Sequence, residues 1–549
     1  MSFRYYRAVA LDLDGTIACG GPPGEEVLAA VRDARAGGIR VLLVSGRILA
    51  ELEAEFPGLA GEFDAVVAEN GAVLALSGVV RPLARPVDPQ LLRWLTERGV
   101  AVRRGMVILA LQASAAHLAL DAVQDLRLDA QLVRNRGELM VLPAGVTKGG
   151  GLVDALSELG VSPHSAIAVG DAENDHALLE AAELGVAVSN AVDSLVAHAD
   201  LVLPAPNGVG VAALLAGPVL GGTELAVSGR WRIHLGIDGG GRTVTVPAAQ
   251  TSVLITGKPG AGKSYLAGLV AEQLIGMGYS IVVFDPEGDH TELGMLNGTT
   301  VFGADGRLPP PWELIQFVRH DNSVVLDLSL LDDGRRNDYA REVSRLLQHH
   351  RDRTGLPHWI VLDEAHWPLG RLHHHAFRPD GLGYCLATYQ PHELTPAVAQ
   401  GVQWHVTVCG DGEAVLGGAG VMTAFRIADR RTDHVRHQHK YTSTDLPRYR
   451  GFHFRYDDGP TGAVAANLNQ FVDVLRHCDT GVLHHHSMGR DMSRWIRDVH
   501  RDQTLAGHLR RLESRIAAGA PAGEVRPLLV KAIEQRYGLS KVTRISTDG

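Results

Sequence analysis

The sequence predicts an α/β protein with two parallel sheets, one after the other along the chain, followed by a small helical region. Short apolar runs alternate with helical patterns over most of the chain, and this alternation is typical of parallel strands joined by crossover helices. The chain has 549 residues, which is too long for one ordinary hydrophobic core. We therefore expect roughly two to four domains.

The first strand–helix series ends at a glycine-rich stretch, residues 217–229, which has little to bury and indicates a boundary. The series is interrupted once, where short strands frame one helix, and this pattern indicates an inserted α+β module. We predict a first domain at residues 1–218, with the inserted module as a cap at about residues 81–143.

A second series of apolar runs ends near Cys409, and it predicts a second α/β domain at residues 225–425. A segment rich in Arg, His and Asp connects this domain to the end of the chain. There, apolar residues recur at helical spacing, with Phe471 and Trp495 as core candidates. We predict a small helical domain at residues 450–549, and no motif indicates its role.

Composition and charge limit the classes of function. Apolar residues make up 45% of the chain and charged residues 21%, which is typical of a soluble globular protein. A net charge of −10 argues against a nucleic-acid coat held by bulk positive charge, although a local basic groove would be compatible with it. The four cysteines form no CxxC pair. We find no signal-peptide pattern and no membrane-spanning run, so we expect a cytoplasmic, reduced protein with no membrane partner.

Two histidine triplets, residues 373–375 and 484–486, resemble metal clusters only superficially. Adjacent residues on a helix or strand point in different directions, so three in a row rarely converge on one ion. We do not expect metal binding at either triplet.

Two aspartates follow the first predicted strand, in the segment ALDLDGT. Asp12 and Asp14 lie two residues apart, so both project to the same side of an extended chain, and Gly15 allows a sharp turn. Hydrolysis of a phosphate monoester needs a nucleophile and a proton donor for the leaving oxygen, and two carboxylates can supply both. A pair of solvated loop carboxylates is the alternative that this segment alone leaves open.

Three later segments place polar residues at the ends of predicted strands. Ser45 in VSGR can donate to a phosphate oxygen, and Lys148 in TKGG can neutralise developing negative charge. Asp171 and Asp175 in VGDAEND are hard oxygen ligands suited to Mg²⁺. An open α/β sheet places its ligand site at the carboxyl ends of its strands, so we expect these side chains to join the aspartate pair.

The motifs DLDGT, SGR, a lysine and GDAEND, in this order, resemble the haloacid-dehalogenase superfamily over roughly residues 4–215. The cap resembles that of the Cof-type branch, and within it the archaeal-type phosphoglycolate phosphatases and the sucrose-phosphate phosphatases. The resemblance implies that Asp12 forms an aspartyl-phosphate and that Asp14 acts as general acid and then as base. A degenerate, inactive copy is the alternative. The implied Mg²⁺ ligands are Asp12, the Asp14 carbonyl, Asp171 and the supporting Asp175; the implied phosphate contacts are Ser45, Gly46, Lys148 and Asn174.

The cap, rather than these motifs, supplies the choice of substrate. Five of its charged residues are candidates to face the pocket: Arg103, Arg104, Arg134, Arg136 and Glu138. An arginine can bind a carboxylate or a second phosphate through two parallel hydrogen bonds, but arginines on a small domain are more often solvated. We expect a small phosphorylated metabolite, with phosphoglycolate as a choice by analogy.

The segment GKPGAGKS, residues 257–264, fits the phosphate-binding loop pattern G-x-x-x-x-G-K-[ST]. An apolar strand precedes it and an amphipathic helix follows, which is the context that this motif requires. Lys263 would reach the β and γ oxygens of ATP, and Ser264 would bind Mg²⁺. The predicted ATP contacts are Gly257, Pro259, Gly260, Ala261, Gly262, Lys263, Ser264 and Gln390.

A later strand, in HWIVLDEAH, ends in Asp363 and Glu364. Asp363 suits contact with Mg²⁺, and Glu364 suits the base that polarises an attacking water, which a kinase does not need. A buried strand that merely ends in carboxylates is the alternative. With FDPEGDH and LATYQPHEL, residues from about 225 to 410 resemble the HerA/FtsK branch of P-loop ATPases.

This second resemblance implies ATP hydrolysis, often in a ring whose neighbours donate an arginine, with Gln390 as a sensor. The candidates for that arginine are Arg335, Arg336, Arg430 and Arg431. The extra barrel and winged-helix modules of DNA-pumping members are not recognisable in this sequence, which puts translocation in doubt.

Several interpretations of the whole chain stay open. The first is a phosphatase fused to an ATPase that gates, assembles or localises it, with a homo-oligomer as a possible form. The second is a ring-forming nucleic-acid ATPase with an accessory phosphatase. The third is a polynucleotide end-processing phosphatase and kinase, against which Glu364 argues. In a fourth, non-enzymatic interpretation, both sites are sensors that set the state of the helical tail.

Overall fold

An eight-stranded sheet, an eleven-stranded sheet and a group of helices follow one another along the chain in the computed structural model. The structure describes residues 4–539 except 136, 370–381, 419, 433–441, 443, 444, 447, 501 and 538. The predicted α/β class is therefore confirmed, with the cap, the second sheet and the helical carboxy-terminal region in the predicted order.

The amino-terminal part contains a parallel sheet and a small antiparallel one. Its strands are β1 (Ala8–Asp12), β2 (Arg40–Val44), β3 (Ala65–Ala68), β4 (Val73–Leu76), β5 (Val79–Pro82), β6 (Val102–Arg104), β7 (Leu109–Gln112), β8 (Ala130–Asn135), β9 (Glu138–Pro143), β10 (Ala166–Gly170), β11 (Leu184–Ala187) and β12 (Leu201–Val202). Its helices are α1 (Glu25–Ala36), α2 (Leu49–Glu55), α3 (Pro89–Glu97), α4 (Ala116–Asp125), α5 (Lys148–Glu158), α6 (His176–Ala181), α7 (Asp193–His198), α8 (Asn207–Ala216) and α9 (Pro218–Gly221).

The larger of these two sheets has the strand order β12-β11-β10-β1-β2-β3-β4-β5, and it is parallel from β12 to β3. Every residue of β1 and β10 is buried, as expected for strands covered by helices on both faces. The smaller sheet, β6-β7-β9-β8, packs with α3 and α4 around its own apolar core and forms the cap.

The central part is built on one mixed sheet. Its strands are β13 (Arg232–Asp238), β14 (Thr243–Pro247), β15 (Val253–Gly257), β16 (Ile281–Asp285), β17 (Thr299–Phe302), β18 (Ser323–Asp327), β19 (Trp359–Leu362), β20 (Tyr384–Thr388), β21 (Trp404–Gly410), β22 (Glu413–Gly418) and β23 (Val421–Ile427). Its helices are α10 (Lys263–Gly276), α11 (Pro311–Leu314), α12 (Asp333–Thr354), α13 (His366–Leu369) and α14 (Pro396–Gly401).

The order of this sheet is β14-β13-β23-β22-β21-β15-β20-β19-β16-β18-β17, with the parallel strands running from β21 to β17. The sequence predicted that the strands end near Cys409, but the antiparallel strands β22 and β23 follow, and the hairpin β13–β14 extends the same edge. Buried and more exposed residues alternate in β22, so it lacks the continuous apolar run by which the parallel strands are recognised.

The carboxy-terminal part begins with a hairpin that the sequence did not predict, β24 (Phe452–Tyr456) and β25 (Gly459–Ala465). The helices are α15 (Leu468–His477), α16 (Thr480–Gly489), α17 (Asp491–Trp495), α18 (Gln503–Ala517) and α19 (Ala522–Tyr537). Phe471 and Trp495 are buried in one aromatic core with Phe452, as predicted. Within the described part of the chain, every helix is too short or too polar to cross a membrane.

The two large sheets meet at the amino ends of their strands. His164 lies just before β10, and Tyr279 lies just before β16; their rings stack with centroids 3.8 Å apart. Glu183 is buried beside them, with its Oε2 2.8 Å from His164 Nδ1 and accepting a hydrogen bond of 2.8 Å from the Tyr279 hydroxyl. His164 Nε2 lies 2.8 Å from the carbonyl oxygen of Met277. A buried carboxylate thus joins the two sheets.

A second contact lies at the amino end of β1. The Arg7 guanidinium donates to the carbonyls of Arg351 and Asp352, near the end of α12, at 3.4 and 3.1 Å. His358, just before β19, lies 3.4 Å from the Ser165 hydroxyl. Because the joined strands are parallel within each sheet, their carboxyl ends point away from this interface. Ligands bound at the two carboxyl edges would therefore lie on opposite sides of this interface.

We expect Glu183→Ala to lower the free energy of unfolding by about 3 kcal/mol, because the Tyr279 hydroxyl and the His164 ring then lose a buried hydrogen-bond partner. Urea denaturation of the full chain measures this change. Glu180→Ala is the control, since Glu180 is largely exposed and its partner is the surface residue His198. Equal effects of the two substitutions would contradict the role of Glu183 in the interface.

We expect stability of the carboxy-terminal part to fall as the pH drops below about 6.5. His500 is fully buried, and burial lowers its pKa to about 3, with a smaller contribution from Arg450. The unfolded chain therefore takes up a proton that the folded chain does not, which costs about 2 kcal/mol by pH 5. In denaturation at pH 7 and pH 5, His500→Gln should reduce this loss, whereas His508→Gln, at an exposed position, should leave it unchanged.

Candidate functional site

One ammonium group lies between two buried carboxylates at the carboxyl edge of the first sheet. Asp12 ends β1 and Lys148 begins α5; Lys148 Nζ donates to Asp12 Oδ1 and to Asp175 Oδ1, both at 2.6 Å. None of the three residues is more than 3% exposed. Charges removed from water are stable only when paired, so this cluster is a built site rather than a solvated loop.

Asp171 completes a group that can bind a cation. One carboxylate oxygen each of Asp12, Asp171 and Asp175 lies within 4.8 Å of the others, and the Thr16 hydroxyl lies 3.2 Å from both Asp12 Oδ2 and Asp171 Oδ1. Three carboxylates and the ammonium of Lys148 leave an excess of two negative charges. A divalent cation with oxygen ligands fits both this charge and these atoms.

Burial and neighbouring charges shift the pKa values of Asp12 and Lys148 in this cluster. Desolvation raises the pKa of Asp12 well above its usual range, as does Asp175, while Lys148 opposes both. Burial alone would lower the pKa of Lys148, but the Asp12 and Asp175 carboxylates raise it instead. Lys148 therefore stays charged at neutral pH, and its charge opposes the upward shift in the pKa of Asp12.

Asp14 is held by the third residue of the SGR segment. Arg47 Nε donates to Asp14 Oδ2 at 2.7 Å and Arg47 Nη2 donates to Asp14 Oδ1 at 2.8 Å, a two-point contact that fixes the carboxylate plane. Ser45, at the end of β2, is fully buried, and its hydroxyl accepts a hydrogen bond of 3.1 Å from the Arg47 amide.

Gly46 and Asn174, two of the predicted phosphate-binding residues, both lie next to Asn70. Asn174 Nδ2 donates to Asn70 Oδ1 at 3.1 Å, and a methyl group added to Gly46 would lie 3.2 Å from that same oxygen. Met140 of the cap also faces this point, with Asn70 Nδ2 2.6 Å from its sulfur. The cap therefore lies directly over the edge that carries the predicted site.

The structure brings the predicted residues Asp12, Asp171, Asp175 and Lys148 into one cluster, with Asp14, Ser45, Gly46 and Asn174 around it. Thr16, Arg47 and Asn70 were not predicted. Thr16 and Arg47 belong to the quoted DLDGT and SGR segments, so their motifs carried a signal. Asn70 belongs to an AENG turn after β3, and its Asn-Gly pair indicates only a turn.

The cap arginines differ in what they contact. Arg103 donates to Glu51 of α2 at 2.7 Å and to Glu138 of the cap, and about half of its side chain is exposed. Arg104 and Arg134 are exposed, and Arg136 lies outside the described residues. The described arginines are thus surface residues at the cap, and one of them joins the cap to the core.

The GKPGAGKS segment forms a loop between β15 and α10. Gly257, Gly260 and Gly262 have φ of 154°, 81° and 111°, which a side chain would disfavour, and Gly262 caps α10. Lys263 is buried at the first position of α10, and its Nζ donates to the Lys258 carbonyl at 3.2 Å. A helix amino terminus behind a glycine loop is a ready anion site.

Asp363 and Glu364 follow β19, two strands away from β15. Burial would raise the pKa of Asp363, but hydrogen bonds from His290, at 3.0 Å, and from Ser264 lower it. Burial raises the pKa of Asp285, at the end of β16, to about 7, although His290 opposes this shift. Asp363 is therefore the ionised carboxylate next to Ser264, as a Mg²⁺ ligand must be.

A cavity of about 800 Å³ opens along this loop. Glu364 lines it, whereas Gln390 does not; the neighbouring Tyr389 does. The lining residues are Pro259–Tyr265, Pro286, Glu287, Arg336, Glu364, His366, Trp367, Tyr389, Gly412, Arg426, Ile427, Asp429 and Asp502. The size and the loop suit a nucleotide, and Asp502 brings the carboxy-terminal part to the same cavity.

The four arginine candidates are in different positions. Arg336 lines the cavity of its own chain, and the neighbouring Arg335 is 81% exposed. The backbone N–H of Arg430 donates to the Tyr265 hydroxyl and its guanidinium packs against Gly268, while the Arg431 amide donates to Glu272, so both lie against α10.

One histidine triplet lies in the described chain, and it departs from the prediction in part. Ligand atoms of His485, His486 and Asp491 lie within 4.8 Å of one another, although His484 is not among them. His486 already uses both ring nitrogens, with Nδ1 2.8 Å from Asp491 and Nε2 accepting from the Arg455 amide at 2.9 Å. The group is thus a satisfied polar cluster. The other triplet, residues 373–375, lies outside the described residues.

Two family models match different parts of the chain. The one described as haloacid dehalogenase-like hydrolase matches residues 123–215, and the one described as the central domain of helicase HerA matches residues 243–343. The second match includes the glycine loop and Lys263 but ends before Asp363 and Gln390.

Curated relatives match the amino-terminal part. Phosphoglycolate phosphatase 2 of Saccharolobus solfataricus is 40% identical over 96 residues, which are 18% of this chain and 41% of that protein. The chain therefore spans less than half of that relative. Phosphoglycolate phosphatase of Methanothermobacter thermautotrophicus is 33% identical over 215 residues, 38% of this chain and 96% of that protein. A haloacid dehalogenase-like hydrolase from Bacteroides thetaiotaomicron, a solved structure, is 20% identical with a TM-score of 0.34, covering 38% of this chain and 98% of its own.

Proposed function

The chain belongs to the haloacid dehalogenase-like hydrolases, and from that premise we propose that its first part is a Mg²⁺-dependent phosphomonoesterase that acts through Asp12. The observation that carries the proposal is the buried group of Asp12, Asp171, Asp175 and Lys148 at one sheet edge. Its excess negative charge would hold Mg²⁺ on the three carboxylates and the Asp14 carbonyl. The ion would supply positive charge to the phosphoryl oxygens.

In the proposed reaction, a carboxylate oxygen of Asp12 attacks phosphorus as the bond from phosphorus to the leaving oxygen breaks. Asp14 protonates that oxygen, and an aspartyl-phosphate results. Water then attacks phosphorus, Asp14 accepts its proton, and Asp12 and inorganic phosphate are released. Lys148 holds Asp12 Oδ1, and Ser45, Gly46 and Asn174 would contact the phosphoryl oxygens. Arg47 contacts both carboxylate oxygens of Asp14 in the resting site, so Asp14 takes up a proton from solvent before it acts as the acid.

A second activity, ATP hydrolysis, is proposed for the central part. The cavity beside the glycine loop supports it, with Gly257–Ser264 around the phosphates, Ser264 and Asp363 at Mg²⁺ and Glu364 as the base for water. Gln390 stays a proposed sensor, although Tyr389 is the residue that lines the cavity. The proposed functional units are residues 1–218, 225–425 and 450–549.

We propose a small phosphate ester such as phosphoglycolate as substrate. The relatives with that activity in their names and the small cap support this choice. A ring-forming nucleic-acid ATPase with an accessory phosphatase is the second candidate, and the match to the central domain of helicase HerA favours it. Glu364 at the cavity disfavours a polynucleotide kinase, because a base for water would promote hydrolysis of ATP.

Asp12→Asn should abolish hydrolysis of a phosphate ester by the purified protein with Mg²⁺, because the amide is a poor nucleophile, and should leave ATP turnover intact. Release of inorganic phosphate measures both. Asp154→Asn, at an exposed position on α5, is the matched control and should retain activity. Full phosphatase activity in the Asp12 variant would show that the nucleophile is assigned wrongly.

Lys263→Ala should reduce ATP hydrolysis by at least about a hundredfold, since the charge on the β and γ oxygens is lost. Lys258→Ala, in the same loop but exposed, should have little effect. Coupled-enzyme detection of ADP gives both rates, and ester hydrolysis should be the same in all three proteins. Unchanged ATP turnover in the Lys263 variant would contradict the proposal that the central part hydrolyses ATP at the glycine loop.

A further inference from the structure

The turn between β3 and β4 has an unusual backbone. Glu69, Asn70 and Gly71 all have positive φ, at 56°, 55° and 100°. The left-handed conformation is unfavourable for a residue with a Cβ, and glutamate has no local side-chain hydrogen bond that would offset this strain. Contacts made by the Glu69 side chain must therefore stabilise this turn.

Those contacts join the core to the cap. The Glu69 carboxylate is fully buried and accepts hydrogen bonds from three successive cap amides, Met106 at 2.9 Å, Val107 at 2.9 Å and Ile108 at 3.1 Å. These amides belong to the loop that connects β6 and β7. Gly105 allows the close approach, since a Cβ there would lie 2.5 Å from Glu69 Oε2.

The next residue of the turn links the cap to the predicted phosphate contacts. Asn70 accepts from Asn174 at 3.1 Å and lies 2.6 Å from the sulfur of Met140, on cap strand β9. A methyl group added to Gly46 would lie 3.3 Å from Met140 Cε. The space above the Ser45–Gly46 segment is therefore closed by Asn70 and by Met140 of the cap. Glu69 fixes the distance between this part of the cap and the core.

A second link between cap and core is exposed. Arg103 bridges Glu51 on α2 and Glu138 on β9, and the three side chains are 37% to 45% exposed. Exposed ion pairs contribute little to stability, because water screens them, whereas a buried carboxylate that accepts several hydrogen bonds contributes more. Glu69 is thus the stronger of the two links.

We propose that Glu69 is a positioning residue that holds the cap at one distance from the core and so restricts the phosphatase to small phosphate esters. This inference rests on the proposed function of Asp12 and its neighbours. Glu69 touches no reacting atom in it. It acts through the cap loop at Met106–Ile108 and through Met140, which limits the room beside the phosphoryl group.

Two substitutions release the cap in different ways. Glu69→Gln leaves one acceptor oxygen where the carboxylate had two, and Gly105→Ala pushes the loop away from an intact Glu69. Gly105 has no left-handed φ, so its backbone tolerates alanine. Arg103→Ala is the matched control, because it removes only the exposed link.

The test compares kcat/KM for phosphoglycolate with kcat/KM for the bulkier p-nitrophenyl phosphate in each full-length protein. We expect the ratio of bulky to small ester to rise by about tenfold or more in both release variants, the equivalent of losing one hydrogen bond to a charged group. Arg103→Ala should leave the ratio within about threefold of the original. Differences in leaving-group chemistry cancel, since the same two esters are used throughout.

Hydrogen exchange provides a readout that does not depend on activity. The amides of Met106, Val107 and Ile108 should exchange faster in both release variants and not in Arg103→Ala. Faster exchange with an unchanged ester ratio would overturn the role of Glu69 in specificity. Unchanged exchange in a folded Glu69→Gln protein would overturn the proposal that Glu69 holds the cap loop. An unaltered protein inactive on both esters would overturn the proposed function and this inference together, which distinguishes that failure from the other two.

Discussion

Parallel strands bring all their carboxyl ends to one edge of a sheet and all their amino ends to the other, and this constraint organises the whole molecule. In each large sheet the polar segments follow the strands, at the carboxyl edge, where Asp12 and Lys263 lie. The amino edges are free to pack, and they pack on each other through His164, Tyr279 and Glu183. Two sites that face away from each other across one interface follow directly. A released product would have to leave one site through solvent to reach the other.

Buried aspartates in the two sites have pKa values shifted in opposite directions, because their partners differ. Burial and Asp175 raise the pKa of Asp12, so its charged form depends on Lys148 and, in the proposed function, on a divalent cation. Asp363 is buried to the same degree, but hydrogen bonds from His290 and Ser264 lower its pKa without any ion. In the proposed function the first site gains a cation before it works, whereas the hydrogen bonds to Asp363 in the second site favour its charged form without one.

Much of the fold and of both sites follows from local pattern. Continuous apolar runs with polar residues at their ends predict the parallel strands, and in the structure Asp12 ends one such strand, Asp171 follows a second, and the glycine loop before Lys263 follows a third. Strand β22 is half exposed and has no continuous apolar run, so the sequence did not predict it. The role of Glu69 could not be predicted for another reason. Its partners are backbone amides 37–39 positions away, and a sequence does not indicate which amides a side chain will bind. Docking of the sheets through Glu183 could not be predicted because its partners, the side chains of His164 and Tyr279, lie 19 and 96 positions away in the sequence.

The two proposed sites lie at carboxyl edges on opposite sides of one interface, and two native cysteines allow the separation of these edges to be measured. Cys19 is exposed in the loop after β1 and Cys409 is exposed near the end of β21, so each marks one carboxyl edge. With Cys478→Ser, and with Cys385 buried, spin labels at these two positions report the separation by pulsed electron resonance. Because one strand of each sheet lies between the labels, end to end across the interface, we expect one narrow distance on the order of 40 Å between them. An ATP analogue should leave this distance unchanged. A broad distribution, or a distance below about 20 Å, would contradict the docking of the two sheets through their amino edges.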